Sequence, residues 1–183
     1  MDFLEETYFY HIFNRGNNKQ DIFKEDENCY YFLKLVRKYI LPIADIYCYC
    51  LLKNHFHLLI QIKENAEKPS QAFSNMFNAY SKAFNKKYER VGSLFQRPFK
   101  RIRISEEKYL KQLILYIHLN PENHRIIDNF ENYKFSSYNS IISPKPTALK
   151  RTEVIDFFND IENFKLIHRQ RKPINENLDF IIE

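Results

Sequence analysis

The sequence predicts an α+β domain, a four-stranded antiparallel sheet in the ferredoxin-like, RRM-like order βαββαβ, followed by one further helix. Three observations carry this reading. Segments 7–14, 43–52, 55–62 and 100–104 are rich in β-branched and aromatic residues. Segments 26–39 and 70–88 repeat apolar residues at helical spacing. Only Lys53 and Asn54 separate the second and third strands, which forces an antiparallel hairpin.

Each element has its own signals. The first strand ends in the turn residues Arg15, Gly16, Asn17 and Asn18. The first helix is driven by Tyr30, Leu33, Val36 and Ile40, with Asp26 as its expected N-cap and Pro42 beyond its end. The second helix is marked by Phe73, Phe77, Tyr80 and Phe84, and Gly92 closes the region after it. Ser105 is the expected N-cap of a third helix, which should stop near Asn120 because Pro121 follows. One sheet face should pack on the first two helices, leaving the other free for function and partly covered by the third. Residues 1–140 are read as the catalytic domain. Residues 141–183 are read as a C-terminal extension with one helix over 150–164.

Composition fits an ordinary globular chain: of 183 residues, 44% are hydrophobic and 28% charged. The net charge of +5 and pI near 9.0 suit a polyanionic partner without requiring one. The 17 Phe and 13 Tyr suit stacking on unpaired bases, although most such rings form cores. Three cysteines, Cys29, Cys48 and Cys50, argue against a disulfide framework, and the acidic N-terminus against a secretory signal. A cytoplasmic, nucleoid-associated protein without a membrane span is expected.

The chemistry centres on Asn54-His55-Phe56-His57. Alternation along a strand points His55 and His57 to one face, with Cα atoms about 7 Å apart, so both imidazoles can reach one divalent ion. A histidine pair on a strand is by itself weak evidence, since hydrogen-bonded histidines are common there. The third helix adds Tyr116 and Asn120, four residues apart and so on one face. An amide oxygen from Asn120 would suit Mg²⁺ or Mn²⁺. Tyr116 is a poor nucleophile alone, with a pKa of about 10 for its type. A divalent ion would offset phosphodiester charge and allow attack, giving a covalent phosphotyrosine. Tyr109, Tyr133 and Tyr138 are rival tyrosines. His118 projects away from Tyr116, and His11 has no assigned face. Arg15, Lys19, Arg97, Lys100, Arg101 and Arg103 are the candidate DNA contacts, with the ring of Phe99 interleaved among the later ones.

With these residues in place, the chain resembles the HUH single-tyrosine transposases, and within them the REP-associated tyrosine transposase branch. The matching stretches are Tyr10 to Asn18, Leu51 to Ile60, Ser93 to Lys100, Tyr116 to Pro121 and Phe135 to Tyr138, spanning roughly residues 5 to 140. The resemblance implies His55, His57 and Asn120 as metal ligands and Tyr116 as nucleophile. It also implies a 5′-phosphotyrosine link, a free 3′-hydroxyl and hairpin-bearing single-stranded DNA as substrate, with a monomer favoured. This chain departs from the pattern at Phe135, where Trp is common, and at Lys53, where Pro or a small residue is expected. Two rivals remain: a non-enzymatic single-stranded nucleic-acid-binding module of the same topology, and a metal-dependent hydrolase without a covalent step.

Overall fold

The computed structural model describes residues 3–170. The strands are β1 (Phe9–Arg15), β2 (Ala44–Leu52), β3 (His55–Ile62) and β4 (Lys100–Ile104), and the main helices are α1 (Asp26–Tyr39), α2 (Pro69–Lys87) and α3 (Glu107–Asn123). Their order along the chain is the expected βαββαβα. The sheet order is β2-β3-β1-β4, with every neighbouring pair antiparallel.

Both hydrophobic faces of the sheet are covered. Tyr10, Ile12, Phe56, Leu58 and Ile60 point into a core formed with Phe32 and Val36 of α1 and Phe73, Phe77 and Tyr80 of α2. Tyr47, Cys48, Cys50, Leu52, Leu59 and Ile104 point into a second core with Leu113, Ile114 and Ile117 of α3. Cys29, Cys48 and Cys50 are free and buried.

The ends of the elements correct several expectations. Glu25, not Asp26, caps α1, because its carboxylate and the Asn28 side chain exchange backbone hydrogen bonds in a capping box. Glu106, not Ser105, caps α3. The helix also runs through Pro121 to Asn123. A proline deletes its own N–H, but later donors can still reach back: His124 N–H bonds to Asn120 O at 3.0 Å and Ile126 N–H to Pro121 O at 2.9 Å. The short helix α4 (Tyr138–Ile142) follows. The helix expected over 150–164 is broken into α5 (Arg151–Asp156) and α6 (Ile161–Gln170), with Asn159 between them at φ 73°. The sheet face expected to be free is filled. Val154, Phe158 and Phe164 from these helices complete the second core beneath α3. The extension was expected to run to residue 183; residues 171–183, like Met1 and Asp2, lie outside the described residues.

A polar relay ties this layer together. His168 Nδ1–H donates to Phe164 O (2.7 Å), which can only accept, and so leaves His168 Nε2 as an acceptor for His118 Nδ1–H (2.9 Å). His118 Nε2 in turn accepts from Ser137 Oγ–H (2.8 Å), whose oxygen accepts the Tyr49 N–H (2.8 Å). One direction of donation satisfies every link with neutral rings. His118 is therefore structural, as its position on the helix suggests. The segment before α4 lies along the β2 edge, where Leu51 N–H bonds to Phe135 O at 3.0 Å and Ser137 N–H to Tyr49 O at 2.9 Å.

Two outcomes follow. Phe164→Ala should lower the stability of the whole domain by about 3–5 kcal/mol in urea titration, because the ring is fully buried, whereas Leu166→Ala, half exposed, should change it by less than about 1 kcal/mol. Burial holds His118 well below its usual pKa, with help from His168, and lowers His168 to about 4 and His11 to about 3. The unfolded chain then binds more protons than the folded one below about pH 6.5. Stability should be full above that pH and fall steadily as pH drops toward 4, read as a declining urea midpoint.

Candidate active site

Directly opposed residues in an antiparallel pair share a sheet face. The register therefore builds cross-strand rows on the face beneath α3. Arg15, His55 and Leu52 form one row; Lys100, Phe13, His57 and Cys50 form the next; Ile102, His11, Leu59 and Cys48 form the third. His55 and His57 thus share a face, as alternation predicts, and His11 joins them from the neighbouring strand.

Helix α3 lies along this face in opposite chain direction to β3. The Tyr116 ring meets the His57 ring edge to face, with centroids 5.5 Å apart. One turn later, Asn120 Oδ1 lies 3.3 Å from His55 Nε2. The match has a geometric basis: four residues of helix rise about 6 Å and two residues of strand about 6.8 Å. A helix with functional residues at i and i+4 can therefore serve a strand with histidines at j and j+2.

Each histidine is held by one nitrogen. His55 Nδ1 is 2.6 Å from Asn54 Oδ1, and the Asn54 amide is oriented by its Nδ2 bond to Lys19 O at 3.5 Å. An amide oxygen only accepts, so His55 Nδ1 carries the hydrogen and Nε2 presents its lone pair toward Asn120 Oδ1. Two acceptors then face each other, while Asn120 Nδ2 is buried without a hydrogen-bond partner. Turning the amide over would bond it to His55 and orphan the oxygen instead. His57 Nδ1 is 3.0 Å from His11 Nε2, and its own Nε2 is buried without a hydrogen-bond partner. Burial, reinforced by His11 and the other nearby histidines, holds His57 well below its usual pKa. Burial first, then His124 and Arg15, brings His55 down to about 4 against the raising effect of Asn120. Both imidazoles are neutral at pH 7, the state in which a nitrogen lone pair is available. Among the described residues no group of three or more His, Cys, Asp or Glu is placed to hold a metal, and the side-chain oxygen beside His55 Nε2 is that of Asn120.

The rival tyrosines lie elsewhere. Tyr133 Oη–H donates to Leu51 O at 2.7 Å, Tyr138 is buried with its ring stacked on Phe164, and Tyr109 packs at the edge of the second core. The six basic candidates separate. Arg15 and Lys100 share the histidine face, and Lys19 sits in the turn that holds Asn54. Arg97 is exposed on the loop before β4, beside a cavity of about 390 Å³ lined by Asn78, Lys82 and Asn85 of α2. Arg101 and Arg103 turn to the α1/α2 face. Arg101 bonds to Ser70 Oγ at 2.9 Å and covers the Phe99 ring, while Arg103 lies 3.3 Å over the Tyr8 ring and pairs with Glu5 at 3.6 Å. Phe99 is a core residue rather than part of a strand track. Sequence reasoning did not assign His11, Asn54 or His124 to the site. The His124 ring lies 5.0 Å from that of His55 at the end of α3. His11 was hidden because Phe9 and Phe13 make both faces of β1 apolar; the parity of Tyr10 and Ile12 was its only signal.

No helix among the described residues is long and apolar enough to cross a membrane. The sheet face on which an RRM-like binding module would stack bases is occupied by α3 and the helices after it.

Comparisons with known proteins identify the family and the fold. The sequence profile described as "Transposase IS200 like" matches residues 5–120. A protein of Haemophilus influenzae named as a REP-associated tyrosine transposase is 29% identical over 99 residues, which cover 49% of this chain and 56% of that protein. The chain thus aligns with little more than half the length of that curated relative. A solved structure described as the REP-associated tyrosine transposase bound to a REP hairpin superposes with a TM-score of 0.61 at 15% identity, covering 80% of this chain and 87% of that one, and shares its fold. A profile match across more than half of its length shows that the chain belongs to the IS200-like transposase family.

Proposed function

We propose that this protein is a single-stranded DNA endonuclease and strand transferase that works through a covalent 5′-phosphotyrosine with a divalent metal, Mg²⁺ or Mn²⁺, on hairpin-forming repeat DNA. The observation that carries the proposal is the docking of Tyr116 and Asn120 over His57 and His55.

The donor set fits a divalent ion. His57 Nε2 is buried without a hydrogen-bond partner, and His55 Nε2 and Asn120 Oδ1 face each other as two acceptors. A cation removes both penalties, each of order 1–3 kcal/mol for a buried polar atom. When bound, the ion offsets negative charge on the scissile phosphate and its transition state. The chain's own residues do the rest. His55, His57 and Asn120 hold the ion. The Tyr116 oxygen attacks phosphorus, the bond from phosphorus to the 3′ oxygen breaks, and the tyrosine proton ends on that oxygen as a 3′-hydroxyl. A second 3′-hydroxyl attacking the phosphotyrosine reverses these steps and joins new ends without ATP.

Arg15 and Lys100 flank the histidines on the same face and take backbone phosphates of the incoming strand. Hairpin DNA is supported by the relative described with a REP hairpin. The working unit proposed is a monomer, with Tyr116 acting over the histidines of its own chain. The cell compartment proposed is the nucleoid-bearing cytoplasm.

With hairpin-bearing single-stranded DNA and Mg²⁺ or Mn²⁺, the wild type should form a covalent adduct visible as a gel shift under denaturing conditions. Tyr116→Phe should form none, and His57→Ala should lose more than about 100-fold in adduct formation. Cleavage retained by Tyr116→Phe would identify a hydrolase without a covalent step and sink the proposal. Arg15→Ala and Lys100→Ala should each weaken DNA binding and lower the salt slope by about 1, while Arg103→Ala should leave both nearly unchanged. Binding measured across a range of salt concentrations checks this.

A further inference from the structure

His11 is the third imidazole of the sheet face at the site and has no part in the ligand set above. It is fully buried, stacks on Phe13 with centroids 4.6 Å apart, and places Nε2 3.0 Å from His57 Nδ1. Its own Nδ1 is buried without a hydrogen-bond partner. One hydrogen lies between the two rings, and two arrangements are available. If His11 donates, His57 Nδ1 is the acceptor and His57 Nε2 carries a hydrogen that points at nothing. If His57 donates from Nδ1, its Nε2 is a lone pair aimed to the same side as His55 Nε2.

The neighbouring histidine shows the second arrangement, because Asn54 Oδ1 accepts from His55 Nδ1 while its Nδ2 donates to Lys19 O. Each histidine of β3 is thus held at Nδ1 and offers Nε2. We propose that His11 is the positioning residue for His57: its Nε2 accepts the His57 Nδ1 hydrogen, fixes the ring and the tautomer, and so prepares His57 Nε2 to bind a divalent cation. The proposal rests on the metal reading above. A ligating histidine commonly has its second nitrogen held in this way, and loss of such a partner typically costs 10- to 100-fold in metal affinity. The unusual element is that the partner is a second buried histidine, which could in principle donate as well as accept. The Nδ1 hydrogen left on His11 is the cost of that choice.

The test uses the full chain without DNA. Mn²⁺ binding is measured by titration calorimetry for wild type, His57→Ala, His11→Phe and His11→Gln, and the imidazole nitrogens are read by ¹⁵N NMR in the presence of Mg²⁺. The expected result is Nδ1–H on both His55 and His57 in wild type. His11→Phe should weaken Mn²⁺ binding about 10- to 100-fold, and His11→Gln, whose amide oxygen can accept the same hydrogen, should recover most of it. A hydrogen on His57 Nε2 in wild type overturns the proposal, and so does unchanged Mn²⁺ affinity in a folded His11→Phe. If His11→Phe does not fold, a weakening of about 10- to 100-fold in a folded His11→Gln overturns it, because a Gln that accepts should not behave as a loss. Wild type and His57→Ala binding Mn²⁺ equally would instead remove the metal reading itself, and this proposal with it.

Discussion

The docking of α3 along β3 is the constraint on which the site depends. The strand alone supplies two imidazoles, and the helix alone supplies a tyrosine and an amide. Only when the helix lies antiparallel over the strand does each find its counterpart, because their repeats nearly coincide over one turn. Apolar packing sets that placement. Leu113, Ile114 and Ile117 are buried on the second core, and Tyr116 and Asn120 lie toward the end where β3 begins. The polar atoms of the site are therefore aimed by hydrophobic contacts that contribute nothing to the chemistry directly.

Much of this was legible in the sequence, for reasons that can be named. The bounds of α1, β3 and β4 follow from sharp periodicity and from turn residues on each side. The pairing of His55 with His57, and of Tyr116 with Asn120, follows from the fixed repeat of strand and helix. What was hidden is long-range or two-sided. His11 sits between Phe9 and Phe13 on a strand buried on both faces, where alternation carries no polarity signal. The filling of the second sheet face depends on α5 and α6, whose division at Asn159 is set by a left-handed backbone residue rather than by a proline or glycine. The basic run before β4 looked continuous in sequence, yet the pleat sends Lys100 to one face and Arg101 and Arg103 to the other. Pro121 misled in the opposite way: a missing donor in the last turn costs little when the following amides reach past it.

The two sheet faces carry different burdens. The α1/α2 face is almost wholly apolar, with aromatic contacts such as Phe23 on Phe32 and Phe32 on Phe56. The α3 face buries His11, His57, His118, Asn120, Ser137 and His168. Buried polar groups of this kind are tolerable only when their hydrogen bonds are met. The ring nitrogens of His118 and His168 are all hydrogen-bonded, although the neighbouring Tyr138 hydroxyl is not, whereas His57 Nε2 and Asn120 Nδ2 lack partners. The incomplete set is the one beside the tyrosine. Three unpaired buried nitrogens beside the tyrosine, His11 Nδ1, His57 Nε2 and Asn120 Nδ2, mark the site within that layer.

The relay from Tyr49 through Ser137, His118 and His168 to Phe164 has a further consequence for how such a chain can vary over time. Its links run in one direction, and each ring can keep only one donor and one acceptor. A substitution at any one of the three side chains strands a buried group on its neighbour. Drift at position 137, 118 or 168 is therefore not independent, and a lineage that abandons the relay has to exchange the set for apolar residues of similar volume. Helix α6 and the helix bearing the tyrosine are in that sense inherited together.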